Sequence, residues 1–225
     1  MTRVFTLMLM CTLSTAAWAA APAAGPQTEE DKTAYAIGQI VGSNLLKSFG
    51  FTKQEMQMAE SGFAAGLAGT KPAVDIDSYR EKAQALQLAR ASAQVTKAKE
   101  AGKAFRDKLA TGKNTETTTS GIVITTLTEG TGAMPTPADK VKVHYEGKLI
   151  DGTVFDSSIK RGEPATFPLS GVVPCWTEAV QRLKVGGKSR ILCPAELAYG
   201  DRGQPPSIPG GSTLDFTVEL LDIVK

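Results

Sequence analysis

Residues 143–158 read VHYEGKLIDGTVFDSS and hold the chain's only histidine, His144, together with two aromatic residues, three carboxylates and two serines. Successive side chains of a strand point to opposite faces of its sheet. Tyr145 therefore lies on the apolar face with its valine neighbours, and His144 lies on the other face with lysine and glutamate. The Asp151-Gly152 pair between two strand patterns is typical of a hairpin turn. The stretch predicts an antiparallel hairpin.

The rest of the sequence does not support a catalytic role for His144. No second histidine exists, which excludes a histidine-rich metal site, and no G-x-S-x-G nucleophile elbow is present. Because Asp151 is first of all a turn residue, Asp156 remains the carboxylate of interest, with a local Asx or serine turn as its alternative. We interpret His144 as a scaffold residue.

Beyond this hairpin, the chain from about residue 121 onward is rich in short strand patterns separated by Gly, Pro and Asp. One helix-like patch, WTEAVQRLK at 176–184, interrupts them. This arrangement predicts an α+β domain in which an antiparallel β-sheet wraps around a short helix. The strand patterns are GIVITTLTEG (121–130), VKVHYEGKLI (141–150), ATFPLS (165–170), KSRILCP (188–194) and STLDFTVELLDIVK (212–225).

Residues 28–74 contain two helix patterns with apolar residues recurring at helical spacing. Thr28 is a good N-cap for the first helix, and Thr52 opens the second as part of a capping box. Gly38 and Gly42 lie four residues apart in the first helix. They either let another backbone approach closely or are simply tolerated, and the pattern leaves both interpretations open.

A third and longer helix pattern covers residues 75–110 and contains no proline. At 1.5 Å per residue it is about 50 Å long. Its large apolar residues are sparse, which is typical of a solvated arm between domains. Gly102 marks a soft point in this arm, and the polar run at 113–121 predicts a hinge or linker.

The N-terminus has the features of a secretory signal peptide. Arg3 precedes a short apolar run, and Ala17-Trp18-Ala19 forms a cleavage site, so we assign 1–19 to the signal and 20–27 to a flexible N-terminus. The alternative is a retained N-terminal anchor, although the apolar run is too short to span a bilayer. No other stretch approaches the length of a membrane span. We expect a soluble protein outside the cytoplasm.

Composition narrows the classes of partner. The net charge of +2 and the 21% of charged residues give no reason to expect nucleic-acid binding.

Cleavage of the signal peptide removes Cys11 and leaves Cys175 and Cys193, which form either one disulfide in an oxidising compartment or two buried inert thiols. The aromatic residues after position 115 either line an apolar pocket or belong to an ordinary core, and pattern alone favours the core. They are Tyr145, Phe155, Phe167, Trp176, Tyr199 and Phe216.

Four motifs, in order and spacing, closely resemble the FKBP-type peptidyl-prolyl cis–trans isomerases: VHYEGKLIDGTVFDSS, GVVPCWTEAV (171–180), ELAYG (196–200) and STLDFTVELLDIV (212–224). The resemblance covers roughly 121–225. AYAIGQIVGSNL (34–45) and the long helix resemble the dimeric periplasmic branch of that family, the macrophage infectivity potentiator and FkpA-like proteins. The resemblance implies a helical dimerisation module at 28–74, a connecting helix at 75–112 and an isomerase domain with an N-terminal linker at 113–225.

The resemblance also implies the site residues. Trp176 is expected to form the pocket floor, Val173 to offer its backbone N–H to a substrate carbonyl, and Tyr199 to offer its hydroxyl. Ser207 stands where the family usually has an apolar residue, so the rim of the pocket is more polar, and Ala165 stands where the family often has an aromatic one. The implied catalytic residues are Tyr145, Phe155, Asp156 and Tyr199, and the implied substrate-binding residues are Val172, Val173, Trp176, Ile208 and Phe216.

A further departure from the family pattern is Cys175, which stands where a glycine normally precedes the tryptophan. In the family fold, the strand that holds Cys193 passes beneath the same helix. The resemblance therefore implies a Cys175–Cys193 disulfide, and a loop of this size would stabilise the domain by roughly 3 kcal/mol.

The implied function is isomerisation of X–Pro bonds in unfolded or partly folded exported proteins, without cofactor or metal. Chaperone activity, a periplasmic homodimer formed through 28–74 and binding of macrolide inhibitors are implied as well, and association with the outer membrane stays open. The alternative is a holdase or adaptor that grips proline segments without turnover. Intact Asp156, Trp176 and Tyr199 favour the enzyme.

Overall fold

The computed structural model describes residues 25–224, apart from the side chains of residues 45–48. The predicted signal peptide at 1–19, with Cys11, lies outside the described residues. Contacts divide the chain after Thr52 into two units, which are described separately. Among residues 25–224, no helix combines the length and the apolar character needed to cross a membrane.

The first unit contains helix α1, Glu29–Phe49. It begins at the predicted N-cap, because the Asp31 N–H donates to Thr28 Oγ1 at 3.0 Å and the Thr28 N–H donates to Asp31 Oδ2 at 3.1 Å. This reciprocal pair satisfies backbone donors that a helix start leaves unpaired. Large apolar side chains remain exposed on α1, as described below.

The second unit begins with α2, Lys53–Leu67, and α3, Ile76–Ala110. Helix α2 starts directly after Thr52, as predicted, and Gly69 follows its end with a φ of +63°, which glycine adopts without steric cost. The N-cap of α3 is Asp75, whose carboxylate accepts the Asp77 N–H at 3.2 Å.

An antiparallel sheet forms the C-terminal part of this unit, in the order β1-β2-β6-β7-β3-β4, with β5 paired to β3 beside β4. The predicted fold class, an α+β chain with a sheet around a short helix after N-terminal helices, is confirmed. The strands are β1 Thr115–Thr117, β2 Val123–Thr128, β3 Lys140–Leu149, β4 Val154–Ser157, β5 Ala165–Pro168, β6 Lys188–Cys193 and β7 Leu214–Val224; the short helices are α4 Ser158–Arg161 and α5 Pro174–Val180.

The opening hairpin is formed by β3 and β4. Its turn is the predicted one: Gly152 has a φ of +90°, and the Thr153 N–H donates to Asp151 Oδ1 at 2.9 Å. Tyr145 is buried and His144 is half-buried on the opposite face, which matches the expected alternation.

The core lies between α5 and one face of the sheet. Helix α5 buries Cys175, Trp176, Ala179 and Val180 against it. Since these side chains recur at helical spacing, one face of the short helix is almost wholly removed from water.

Two expectations about the connecting segments were wrong. Residues 115–117 are not linker but strand β1, paired with β2; their threonines favour a strand, and an edge strand can stay polar. Gly102 is not a soft point, because it is the buried residue at which α3 meets Thr213. A Cβ at Gly102 would lie 2.2 Å from Thr213 Oγ1, so glycine permits the contact and the end of α3 is docked rather than solvated.

Candidate active site

A cavity of about 350 Å³ opens between α5, the same face of the sheet and the chain before β7. Six aromatic side chains, Trp176 among them, supply most of its walls, and Asp156 is the one carboxylate among the described residues that line it. The lining residues are Tyr145, Phe155, Asp156, Phe167, Gly171, Val172, Val173, Trp176, Tyr199 and Phe216.

Trp176 lines this cavity and is 4% exposed. Its ring packs edge-on against Tyr145 at 5.3 Å, Phe216 at 5.3 Å and Phe167 at 5.8 Å between centroids. Such edge-to-face pairs are favoured because the positive edge of one ring meets the negative face of another. Its buried Nε1 has no hydrogen-bond partner among the described residues.

Glycine at position 147 permits the packing of the wall. Phe155 and Phe216 meet edge-on at 5.6 Å between centroids. A Cβ on Gly147 would lie 2.6 Å from the Phe155 ring and 2.8 Å from the Phe216 ring, so any side chain on this residue of β3 would displace both rings.

One edge of the cavity is polar and consists of Tyr145, Asp156 and Arg161. The Tyr145 hydroxyl donates to Asp156 Oδ2, and Arg161 Nη1 donates to Asp156 Oδ1. Arg161 Nη2 also donates to the Tyr145 oxygen at 3.0 Å, and the guanidinium lies 5.7 Å from the Tyr145 ring centroid. The carboxylate and the hydroxyl are therefore held in fixed positions.

These contacts set the protonation states. Burial works to raise the pKa of Asp156, but the hydrogen bonds from Tyr145 and Arg161 outweigh it and hold that pKa below its usual value. Burial, and then the hydrogen bond to Asp156, raises the pKa of Tyr145. Asp156 is therefore an anion and Tyr145 a neutral phenol at neutral pH, so neither is poised to exchange a proton there.

The remaining predicted site residues lie on irregular backbone. Val172 and Val173 precede α5, and Val173 is its N-cap, with its carbonyl accepting the Trp176 N–H at 2.9 Å. Tyr199 is 36% exposed and follows a 3-10 turn over Ala195–Leu197. Ile208 is 3% exposed and packs in the core cluster rather than lining the cavity.

His144 lies away from this cavity. Its Nδ1 is 3.1 Å from Ser158 Oγ, which also accepts the Tyr145 N–H at 2.8 Å. Ser158 is the first residue of α4, so this contact ties α4 to β3. The histidine lies beside this structural junction and does not line the cavity.

The disulfide between Cys175 and Cys193 is present. It joins α5 to the end of β6 with a Cα–Cα distance of 5.7 Å, and both cysteines are fully buried. Because Cys175 directly precedes Trp176, the bridge anchors the helix turn that carries this lining residue of the cavity.

Sequence reasoning did not assign Arg161 or Phe167 to the site. Phe167 was noted only as one of the aromatic residues, although its alternation within ATFPLS could have placed it facing inward. No sequence signal marks Arg161, because its approach to Asp156 depends on the four-residue helix α4 that follows β4.

Comparison with known proteins gives two family models that match the chain. "FKBP-type peptidyl-prolyl cis-trans isomerase" matches residues 131–221, and "Domain amino terminal to FKBP-type peptidyl-prolyl isomerase" matches residues 30–123. The chain is 42% identical over 204 residues to the FKBP-type 22 kDa peptidyl-prolyl cis-trans isomerase of Escherichia coli, covering 88% of this chain and 97% of that protein.

Two further matches cover most of the chain. It is 34% identical over 230 residues to the outer membrane protein MIP of Legionella longbeachae, covering 99% of this chain and 98% of that protein. The crystal structure of FkpA from Escherichia coli matches with a TM-score of 0.66 and 34% identity, covering 88% of this chain and 97% of that one.

Proposed function

The chain belongs to the FKBP-type peptidyl-prolyl cis–trans isomerases, and from this premise we propose that its aromatic cavity accelerates X–Pro rotation by binding the twisted amide better than the planar one. The enzyme class is that of its relatives, peptidyl-prolyl cis–trans isomerase (EC 5.2.1.8). The observation that carries the proposal is the ring-lined cavity of about 350 Å³ with Trp176 in its lining.

The chemistry needs no nucleophile. Resonance keeps the amide planar, and the barrier to rotation is about 18–20 kcal/mol. Uncatalysed X–Pro exchange therefore takes tens to hundreds of seconds. The planar amide is more polar than the twisted one, so an apolar cavity disfavours it. Binding that is stronger in the twisted state lowers the barrier.

Each wall has a proposed role. The prolyl ring rests on the indole of Trp176, with Phe155, Val172 and Phe216 enclosing it. The Val173 N–H and the Tyr199 hydroxyl donate to carbonyls of the substrate backbone. The Asp156 carboxylate and the Tyr145 hydroxyl orient polar groups of the twisted amide and transfer no proton. Their hydrogen bonds to each other and to Arg161 support this role, because they hold both groups in place.

We extend the proposal to the whole chain. The signal-like N-terminus and the buried disulfide support export to the periplasm, where disulfides persist. The substrates are then unfolded or partly folded exported proteins. The protein is then a homodimer with chaperone activity. Each chain consists of a helical module at 28–74, a connecting helix at 75–112 and an isomerase domain at 113–225. The cavity also resembles one that takes macrolide inhibitors.

The test of the catalytic proposal is NMR exchange on an X–Pro peptide, run beside an aggregation assay. The intact protein is expected to accelerate exchange, whereas Asp156→Leu loses most of the acceleration and still suppresses aggregation of an unfolded client. Asp107→Leu, on an exposed position of α3, is the matched control and keeps both activities. Absence of acceleration by the intact protein would leave only a holdase that grips proline segments.

The dimer is supported by apolar side chains that nothing covers within the described residues. On α1, Ile37 is 57% and Ile40 is 59% exposed. A Cβ on Gly38 or Gly42 would meet no atom within 4 Å, so a second backbone has room to approach. Exposed apolar clusters of this kind mark interaction surfaces, and the match to the family's amino-terminal domain favours a second copy as the partner.

Sedimentation at micromolar concentration tests this assignment. The intact protein is expected to have twice the mass of one chain, and Ile40→Glu the mass of one, because the substitution buries an unpaired charge in the interface. Gln39→Glu adds the same charge at the neighbouring polar position and keeps the dimer. A monomeric intact protein rejects the proposal.

A further inference from the structure

Tyr199 lies on a long loop that the sheet does not hold. The chain leaves β6 at Cys193 and enters β7 at Leu214. The described backbone contacts within this segment are turns, one isolated bridge, Gln204 to Ile208, and a hydrogen bond from the Gly211 N–H to the Gly200 carbonyl at 2.9 Å. Both Tyr199 and Ile208, two of the predicted site residues, are carried by it. Contacts from outside the sheet therefore contribute to the position of this loop.

Helix α3 packs along this loop. A Cβ on Gly211 would lie 2.6 Å from the Val95 carbonyl oxygen, and Gly102 meets Thr213. Arg106 Nη1 donates to Thr213 Oγ1 at 2.5 Å.

Lys99 lies at the centre of the contact. Its Nζ is 2.5 Å from Asp201 Oδ1 and 3.3 Å from Glu196 Oε1. These two acids flank Tyr199, three residues before it and two after it. One ammonium thus bridges both ends of the turn that presents the tyrosine.

The contacts form one continuous face of α3. Val95, Lys99, Gly102 and Arg106 are spaced by four, three and four residues, which places them on the same side of a helix. This face contains one apolar residue, two cations and a glycine, so it lacks the apolar stripe that is typical of a packed helix. For this reason the sequence predicts a solvated arm.

Electrostatics support the bridge. The hydrogen bond to Asp201, and then that to Glu196, raises the pKa of Lys99, so the ammonium stays charged. Without the Lys99 ammonium, the carboxylates of Glu196 and Asp201 on either side of Tyr199 repel each other. The carboxylate side chains are 59% and 68% exposed, so the bridge is open to screening by salt.

We propose that Lys99 is a positioning residue for the isomerase reaction, which couples the connecting helix to the active site by holding the Glu196–Asp201 turn and, through it, the Tyr199 hydroxyl. The inference rests on the proposed substrate contact of Tyr199. The end of α3 then supports the active site, in addition to connecting the helical module to the isomerase domain.

A double-mutant cycle on the full chain tests it. In Lys99→Ala, kcat/KM for an X–Pro peptide is expected to fall about three- to tenfold, the range that two exposed ion pairs allow. In a Tyr199→Phe background, Lys99→Ala causes no further loss of kcat/KM, because both substitutions remove the same contact, that of the Tyr199 hydroxyl with the substrate. Lys99→Arg restores the activity. Lys97→Ala removes the same charge from the opposite side of α3 and leaves kcat/KM unchanged.

The outcomes distinguish a failure of the Lys99 positioning role from a failure of the proposed Tyr199 substrate contact. Tyr199→Phe lowering kcat/KM while Lys99→Ala leaves it unchanged overturns the positioning role. Losses that multiply in the double variant overturn it too, because a general loss of stability would behave in that way. If Tyr199→Phe itself has full activity, the proposed substrate contact is wrong and this inference falls with it.

Discussion

Replacing Trp176 by alanine is expected to lower kcat/KM for an X–Pro peptide about ten- to a hundredfold, because burying an apolar group of prolyl size is worth about 1.5–3 kcal/mol and each 1.4 kcal/mol is about tenfold in rate. The free energy of unfolding is expected to fall by about 3–5 kcal/mol, as for other buried tryptophans. The same ring lines the cavity and lies at the centre of its aromatic cluster.

Activity and stability must be separated in this experiment. Leu183→Ala is the matched control, because Leu183 is equally buried at 4% exposure but does not line the cavity. Both variants are expected to unfold at lower urea concentration. At a temperature where both are folded, only the tryptophan variant loses kcat/KM, and Trp176→Phe loses less than Trp176→Ala. Equal losses of kcat/KM in the tryptophan and leucine variants would show that Trp176 acts only as core.

The second large effect is expected for the disulfide. The double variant Cys175→Ala/Cys193→Ala should lose about 3 kcal/mol of unfolding free energy, because the bridge closes a loop with a sequence separation of 18. For a domain of this size that corresponds to a Tm lower by roughly 10–20 °C. Calorimetry or urea titration measures both.

Reduced wild-type protein is the control for the volume that the alanines remove. Its thiols occupy nearly the same space, so the difference between oxidised and reduced wild type isolates the bridge from the cavity term. Equal stability of the two forms would contradict a stabilising role for the disulfide.

The parts of the fold that the sequence predicts are those fixed by local rules. The Asp151-Gly152 turn, the alternation around Tyr145 and the N-cap at Thr28 each depend on a few neighbouring residues. Strand β1 was missed because its polar threonines fit a linker as well as an edge strand.

Contacts between distant segments were less visible. The role of Gly102 depends on Thr213, more than a hundred residues away, and the role of Lys99 depends on a loop between two strands. Arg161 joins the site only through the turn of α4. Family resemblance supplied the list of site residues, whereas neither pattern nor resemblance predicted these supporting contacts.

The central claim is that a ring-lined cavity catalyses rotation by preferring the twisted amide, with no proton transferred. The most direct test is the NMR exchange experiment on an X–Pro peptide with the intact protein, run in H2O and in D2O. The account predicts accelerated exchange, an unchanged cis:trans ratio and the same acceleration in both solvents. A markedly smaller acceleration in D2O would show that a proton moves in the rate-limiting step and would contradict the account.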